Sequence, residues 1–231
     1  MNKITGIIPT YNPIRSWLQQ TLDSIGQFDE LIICNDGSDY FNIKQYRLPK
    51  DISVTLFENE KNMGCFKTIN LMCEKVAEGM ITIQADDDFY DKEQLPTLLE
   101  IARNTDADVI YFPCQYFGKY NFLFGNMPLV DYKTLLQANY VYGSAFFRKE
   151  LWQFLGGFQL EVAADWDFWV RAIKSGARFQ FHPNIGAHFR VTNRSMFEKS
   201  LETLGRAQIN KQVYDNCVKW KGRYERQKVC V

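Results

Sequence analysis

Two kinds of hydrophobic pattern alternate along the first half of the chain. Short apolar runs rich in β-branched residues predict buried strands, and they occupy residues 4–8, 31–34, 54–57, 80–85 and 109–112. Between these runs, apolar residues recur every three or four positions, as on the buried face of a helix. They are Trp17, Leu18, Leu22 and Ile25, then Ile69, Leu71, Met72 and Val76, then Leu95, Leu98, Leu99 and Ile101. Because strands that alternate with helices favour right-handed βαβ units, we predict an α/β fold with a Rossmann-like, mostly parallel central sheet flanked by helices.

The pattern changes after residue 112. The following segment is irregular and aromatic, and its rings are Tyr116, Phe117, Tyr120, Phe122 and Phe124. The pattern assigns no regular element to this segment. No G-x-G-x-x-G fingerprint follows the first predicted strand, so a dinucleotide cofactor is not expected.

The charge of the chain is balanced overall but uneven near its end. The 231 residues carry 27 Lys and Arg against 27 Asp and Glu, so no net field favours nucleic acid or an anionic membrane. Residues 198–231 carry eight basic and four acidic side chains, and their apolar spacing predicts a helix. This basic tail could contact an anionic membrane surface or a nucleic acid, or it could form a solvated closing helix. We favour the closing helix.

Cysteine usage and apolar segment lengths bear on the compartment. The six cysteines show no C-x-x-C spacing, and we expect reduced thiols, as in a cytoplasmic protein. The apolar run at the N-terminus is too short for a signal peptide, and no run is long enough to span a bilayer. We therefore expect a cytoplasmic protein that is at most peripheral to the inner face of a membrane.

The acidic run Asp86-Asp87-Asp88 directly follows the predicted strand 80–85. Adjacent carboxylates repel one another, and a hard cation such as Mg²⁺ or Mn²⁺ relieves this repulsion. Open α/β sheets also bind ligands beyond the carboxyl ends of their strands. A solvated turn that leads through Asp91 and Glu93 into the next helix explains the run equally well. The residues alone leave both interpretations open.

Several strand-end motifs, in order along the chain, resemble those of glycosyltransferase family 2. They are Pro9-Thr10-Tyr11-Asn12, Asn35-Asp36-Gly37-Ser38, Asn62-x-Gly64 followed by Asn70, the aspartate run, and Asp165-Trp166-Asp167-Phe168-Trp169-Val170-Arg171 followed by Gly176. Residues 142–148 and 156–158 resemble the acceptor-side strand and loop of that family. The resemblance covers residues 4 to 195 and implies a GT-A fold. It also implies transfer of a sugar, with inversion, from a nucleotide diphosphate, and we expect a UDP-sugar.

The resemblance assigns roles to individual residues. The expected donor contacts are Pro9, Thr10, Tyr11, Asn12, Asp36, Asn62, Gly64, Asp86, Asp87, Arg190 and Arg194. The expected ligands of a divalent Mn²⁺ or Mg²⁺ ion are Asp87, Asp88 and His188, and the expected catalytic base is Asp165. Each role has a structural alternative: an Asx-turn for Asp36, a helix N-cap for Asp165 with Asp167 competing as base, a partly buried structural histidine for His188, and surface ion pairs for the arginines.

The resemblance also implies a division of the chain. We expect one domain, 1–231, made of a nucleotide-sugar-binding half (1–112), an acceptor-binding half (113–197) and the basic helical tail (198–231). The expected acceptor is a hydroxyl of a glycan or of a lipid-linked intermediate, with nucleic acid as a variant.

Two positions depart from the family pattern. Ala85 stands where the family has its first aspartate, and Ala164 replaces the Glu before the expected base. These departures raise the alternative of a catalytically inactive carbohydrate-binding module. A sugar nucleotidyltransferase would require a Gly-rich, Arg-containing phosphate loop after the first strand, which Pro9-Thr10-Tyr11-Asn12 is not.

Overall fold

The computed structural model describes residues 1–193 and 195–225. Arg194, an expected phosphate contact, and the last six residues of the basic tail lie outside the described residues. The strands are β1 (Ile4–Thr10), β2 (Glu30–Asn35), β3 (Ser53–Glu58), β4 (Met80–Ile83), β5 (Phe89–Tyr90), β6 (Val109–Tyr111), β7 (Cys114–Gly118), β8 (Phe122–Phe124), β9 (Phe146–Arg148), β10 (Phe179–Phe181) and β11 (Ala187–Val191). The helices are α1 (Arg15–Ser24), α2 (Cys65–Lys75), α3 (Leu95–Asn104), α4 (Tyr132–Gln137), α5 (Lys149–Leu155), α6 (Ala164–Ser175) and α7 (Met196–Lys219).

Seven strands form the central sheet in the order β10-β6-β9-β4-β1-β2-β3. Only β9 runs antiparallel to its neighbours, β4 and β6. The predicted strands and the first three predicted helices are present. The mostly parallel α/β architecture is therefore confirmed.

Helices cover both faces of the central sheet, which explains why its inner strands are apolar along their whole length. On β1, Ile7 packs into the core on one face of the sheet, whereas Ile4 and Ile8 pack into the core on the other. These three side chains are fully buried. The predicted strand 80–85 ends at Ile83, so Gln84 and Ala85 already belong to the loop that carries the aspartates.

A second sheet covers the carboxyl end of the first, in the order β5-β11-β7-β8. Sequence patterns did not predict it, because its strands are short and carry large rings on both faces. Tyr116 on β7 contacts Phe189 on β11, and on the opposite face Phe117 contacts Phe89 on β5. With rings on both faces, the alternation of apolar and polar residues that marks a half-buried strand is lost.

A buried ion pair fixes α6 to its neighbours. Asp167 and Arg171 lie one turn apart with an N–O distance of 2.7 Å, and both side chains are 0% exposed. Arg171 also donates to the carbonyl oxygens of Leu155 and Gly157, and Asn216 of α7 donates to Asp167. The carboxylate that competed with Asp165 for the role of base is therefore committed to packing.

The C-terminal helix closes the core, as the sequence analysis favoured. Gly205, with a φ of +73°, interrupts α7, and beyond it Ile209, Val213 and Cys217 are fully buried. Tyr224 then donates its backbone N–H to the carbonyl of Ser175, at the end of α6. None of the helices in the described part of the chain has the length and apolar character needed to cross a bilayer.

Replacing Arg171 by Met should lower the free energy of unfolding by about 3–5 kcal/mol, because it leaves the buried carboxylate of Asp167 without its counter-ion. Arg47→Met is the matched control. Arg47 pairs with Asp23 at 3.0 Å, but its side chain is 79% exposed, and its loss should cost about 1 kcal/mol or less. Urea denaturation of both variants measures the difference, and equal losses would contradict a stabilising role for the buried pair.

Candidate active site

The loops after β1, β2 and β4 meet at the carboxyl edge of the central sheet. Thr10, which is buried, donates its hydroxyl to Asp86 at 2.6 Å. Asn12, with a φ of +48°, donates its backbone N–H to the hydroxyl of Ser38 at 2.8 Å. Tyr11, between them, is 49% exposed. The Pro9–Asn12 segment therefore connects the ends of two neighbouring strands and leaves one aromatic ring open to solvent.

Asp36 holds the loop before α2 in place. It is 3% exposed, and its carboxylate accepts from the amide of Asn59 at 2.8 Å and from the backbone N–H groups of Met63 and Gly64 at 2.9 and 3.1 Å. The Asx-turn that we considered for Asp36 is made instead by Asn35, which accepts from the N–H of Ser38 at 2.9 Å. Asp36 is thus buried under the loop before α2 and holds that loop in position.

Gly37 allows this loop to approach the next one closely. Its φ is +75°, and a Cβ there would lie 2.5 Å from the backbone nitrogen of Asn62. Any other residue would therefore push the two loops apart. Asn62 itself is exposed, and Gly64, with a φ of +92°, forms the N-cap of α2.

Four carboxylates converge on the N-terminus of α2. Burial, followed by the charges of Asp86, Asp36, Asp165 and Asp87, raises the pKa of the Cys65 thiol to about 12. These four residues come from three distant parts of the chain. Contacts bring them to one edge of the sheet. Thr10 donates its hydroxyl to Asp86 and accepts the N–H of Asp36 at 2.8 Å, and a Cβ on Gly143, next to the Tyr142 that binds Asp88, would lie 3.7 Å from a carboxylate oxygen of Asp165.

Asp88 differs from its two neighbours because it is turned inward. It is 1% exposed and accepts from the hydroxyl of Tyr142 at 2.9 Å and from the backbone N–H of Arg190 at 2.7 Å. Burial, followed by the charge of Asp87, raises the pKa of this carboxyl well above its usual range, although both hydrogen bonds oppose the shift. Asp88 therefore anchors the loop, whereas Asp86 and Asp87 remain partly exposed.

The structure separates His188 from the expected metal ligands. Its Nε2 lies 3.1 Å from a carboxylate oxygen of Asp91, and its ring stacks on Phe89 at 4.7 Å. The next residue, Phe189, lies on the opposite face of β11 and contacts Tyr142. Over residues 1–193 and 195–225, no three His, Cys, Asp or Glu side chains lie close enough together to hold a metal ion.

The partly exposed pair Asp86 and Asp87 nevertheless fits one mode of metal binding. Mg²⁺ and similar ions are commonly held by one or two carboxylates together with phosphate oxygens of the substrate, not by a cage of protein ligands. Asp86 and Asp87 are carboxylates of this kind, and Thr10 orients the first of them. The residues present therefore fit an ion that arrives with a diphosphate.

Arg190 is held by contacts with several neighbouring side chains and with the backbone of the aspartate loop. Its guanidinium lies 4.7 Å from the ring centres of both Trp17 and Phe117. It donates to the backbone oxygen of Asp87 at 3.0 Å and to the side chain of Gln20 at 2.6 Å. These contacts fasten the aspartate loop between α1 and the second sheet, so Arg190 positions the site.

Asp165 lies in the first turn of α6, where a carboxylate is favoured by the helix dipole. It is not the N-cap, since that position belongs to Ala163. Burial raises the pKa of the Asp165 carboxyl above its ordinary value, while hydrogen bonds from the N–H of Trp166 and the amide of Asn139 oppose the shift. A partly exposed carboxylate with a raised pKa is suited to accept a proton.

Two residues of this site were missed by the sequence analysis. Asn139 donates to Asp165 at 3.3 Å, and Tyr142 anchors Asp88. Tyr142 opened a segment that resembled the family, but neither residue stands in a pattern that predicts its partner, because both contacts depend on how distant segments pack.

Comparison with solved structures identifies the class of fold. Residues 1–349 of S. aureus TarS, solved in complex with UDP-GlcNAc, superpose with a TM-score of 0.69 at 16% identity, over 85% of this chain and 60% of that one. The mannosyltransferase PcManGT from Pyrobaculum calidifontis, solved with GDP-Man and Mn²⁺, gives 0.65 at 18% identity, over 97% of this chain and 66% of that one. The fold is thus that of GT-A glycosyltransferases, as predicted.

The family follows from the sequence match. The model of glycosyl transferase family 2 matches residues 5–202, and the chain belongs to that family. A search of curated proteins gave no match. The chain spans 60% of the length of the TarS fragment.

Replacing Asp36 by Ala should free the amides of Met63 and Gly64, because their acceptor is lost. We expect faster hydrogen exchange at these two amides and a free energy of unfolding lower by about 3 kcal/mol, since hydrogen bonds to a buried charge are worth roughly 1.5–3 kcal/mol each. Asp39→Ala, at an exposed position of the same turn, should leave both unchanged. Unchanged exchange in Asp36→Ala would show that the carboxylate does not hold the loop.

Proposed function

We propose that this protein is an inverting glycosyltransferase that moves a sugar from a nucleotide diphosphate to an acceptor hydroxyl.

 The transfer exchanges one C–O bond for another, so it needs neither an oxidant nor a reductant. The observation that carries the proposal is that the aspartate loop lies beside Asp165 at the carboxyl edge of the sheet. Tyr142 donates to Asp88 of that loop, and a Cβ on the adjacent Gly143 would lie 3.7 Å from a carboxylate oxygen of Asp165. Membership of glycosyl transferase family 2 supports the same reaction class.

Asp165 is the proposed base. Its carboxylate takes the proton of the acceptor hydroxyl as that oxygen attacks the anomeric carbon of the sugar, on the face opposite the departing phosphate. The bond from the anomeric carbon to the phosphate oxygen breaks, and the nucleoside diphosphate leaves with the bonding pair. The side-chain amide of Asn139, 3.3 Å away, keeps the carboxylate oriented toward the cleft.

The leaving diphosphate is proposed to lie beside Asp86 and Asp87. A divalent cation held there would neutralise the negative charge of the diphosphate. Thr10 orients Asp86, and Asp88 with Arg190 fixes the backbone that presents Asp87. Tyr11 is exposed at the same edge, where its ring can pack on the nucleobase.

The identity of donor and acceptor is part of the proposal. TarS, with its UDP-GlcNAc complex, supports a uridine nucleotide as donor, and PcManGT with GDP-Man and Mn²⁺ supports the use of a divalent ion. We propose a hydroxyl of a glycan or lipid-linked intermediate as acceptor. A cytoplasmic location and contact of the basic tail with a membrane or a nucleic acid stay predictions.

Calorimetric titration with UDP should show binding that requires Mn²⁺, because the carboxylates repel a diphosphate when no cation is present. Asp87→Asn should weaken this binding by about tenfold or more, the effect of losing roughly 1.4 kcal/mol. Asp106→Asn, an exposed aspartate just before β6 at the opposite edge of the sheet, is the control and should bind like the wild type. UDP binding that is equal with and without Mn²⁺ would overturn the metal-assisted part of the proposal. No nucleotide binding at all would favour an inactive carbohydrate-binding module.

Asp165→Asn should reduce the slow hydrolysis of the bound donor, in which water takes the place of the acceptor, by about 10²–10⁴-fold. UDP affinity should be retained, because Asp165 does not contact the leaving group. In the wild type the rate should rise with pH as Asp165 loses its proton, through an apparent pKa above the ordinary value of about 3.9, because burial raises it. A variant with the rate and pH profile of the wild type would show that the base lies elsewhere.

A further inference from the structure

A group of stacked aromatic rings lies beside the candidate active site. Tyr116 is at its centre, with ring centres of Phe122, Phe189 and Phe124 at 4.6, 4.6 and 5.2 Å. Phe189 in turn contacts Tyr142, whose hydroxyl binds Asp88. We call these five rings the aromatic wall.

The aromatic wall faces the expected catalytic residues. Tyr142, the inner ring of the wall, donates its hydroxyl to Asp88 at 2.9 Å. A Cβ on the next residue, Gly143, would lie 3.7 Å from a carboxylate oxygen of Asp165, so the inner end of the wall lies beside both carboxylates. At the outer end of the wall, the Phe122 side chain is 45% exposed. A ligand that contacts this ring would therefore extend from the region of the base toward solvent.

The surroundings of the wall define the chemistry of its ligand. The nearby carboxylates disfavour an anionic group, and residues 113–131 contain one basic residue, Lys119. An exposed aromatic ring in such surroundings suits an uncharged ligand with apolar C–H faces and hydroxyl edges. A pyranose ring has this character.

We propose that the aromatic wall binds an uncharged sugar ring of the acceptor, which stacks on Phe122 and presents its hydroxyl toward Asp165. This inference rests on the proposed function and deepens it by naming the acceptor class as a carbohydrate. It also makes Phe122 a positioning residue, since it touches the acceptor at a distance from the reacting oxygen.

Neighbouring residues on β8 provide a matched pair for the test. Phe122 and Leu123 are 45% and 44% exposed, but consecutive strand residues point to opposite faces of a sheet. Leu123→Ala therefore removes a similar apolar side chain without touching the wall. Phe122→Trp keeps a stacking ring at the same position.

The experiment is saturation-transfer NMR with methyl glucoside, methyl galactoside and methyl N-acetylglucosaminide in the presence of UDP and Mg²⁺. We expect at least one glycoside to receive saturation at its ring C–H protons. Its apparent Kd should rise by about fivefold or more in Phe122→Ala, an effect on the scale of one aromatic contact, and should change less than twofold in Leu123→Ala and Phe122→Trp.

Calorimetry with UDP on the same samples separates the two levels of the proposal. If UDP binds but no glycoside is saturated, or if the Phe122 and Leu123 variants lose binding equally, the aromatic wall is not an acceptor site and the proposed transferase function stands. If a glycoside binds through Phe122 but UDP does not bind, the carbohydrate site stands and the transferase function is overturned. Binding to vesicles of phosphatidylcholine and phosphatidylglycerol that is lost only in Phe122→Ala would reassign the wall to lipid.

Discussion

The buried carboxylate of Asp88 holds the site together. A carboxylate that leaves water loses hydration free energy and is tolerated only when it is hydrogen-bonded. Tyr142 and the backbone of Arg190 supply those hydrogen bonds, and Thr21 of α1 donates to the backbone oxygen of Asp88 at 2.6 Å. One residue thus joins the aspartate loop to α1, to the second sheet and to the segment before β9. Burial is the largest cause of the raised pKa of the Asp88 carboxyl. The contacts around this residue offset the hydration free energy that burial removes.

The same division of labour recurs at Asp36. Asp36 and Asp88 are buried and hydrogen-bonded, and each holds a loop, whereas Asp86, Asp87 and Asp165 are partly exposed. The loops that present the exposed carboxylates are therefore fastened by buried ones. This arrangement keeps several negative charges close together before any ligand arrives, and it favours a ligand that brings positive charge with it.

The hydrophobic pattern predicted five of the seven strands in the central sheet. The family resemblance implied a strand within residues 142–148, where β9 lies, whereas β10 and the second sheet were not predicted. Buried parallel strands such as β1 are continuous apolar runs in the sequence. In helices such as α3, apolar residues recur every three or four positions. Strands β5 and β8 are two and three residues long, too short for any period. At the site, the motifs located the right residues, but the inward turn of Asp88 depends on Arg190, 102 positions away. Local pattern carries no information about such a partner. For the same reason the sequence could not separate Asp167, which is buried against Arg171, from Asp165.

The two departures from the family pattern affect the site unequally. Ala85 removes a carboxylate, but Asp86 stands next to it and is held by Thr10 at the same edge of the sheet. Ala164 is fully buried in the core, so the first turn of α6 is packed through a small side chain while Asp165 keeps its place beside Asn139. The charge needed near a diphosphate and the carboxylate needed near an acceptor hydroxyl are thus both retained. This retention supports an active transferase, because Asp86 and Asp87 offer the carboxylate oxygens that a divalent cation bound to a diphosphate takes as ligands.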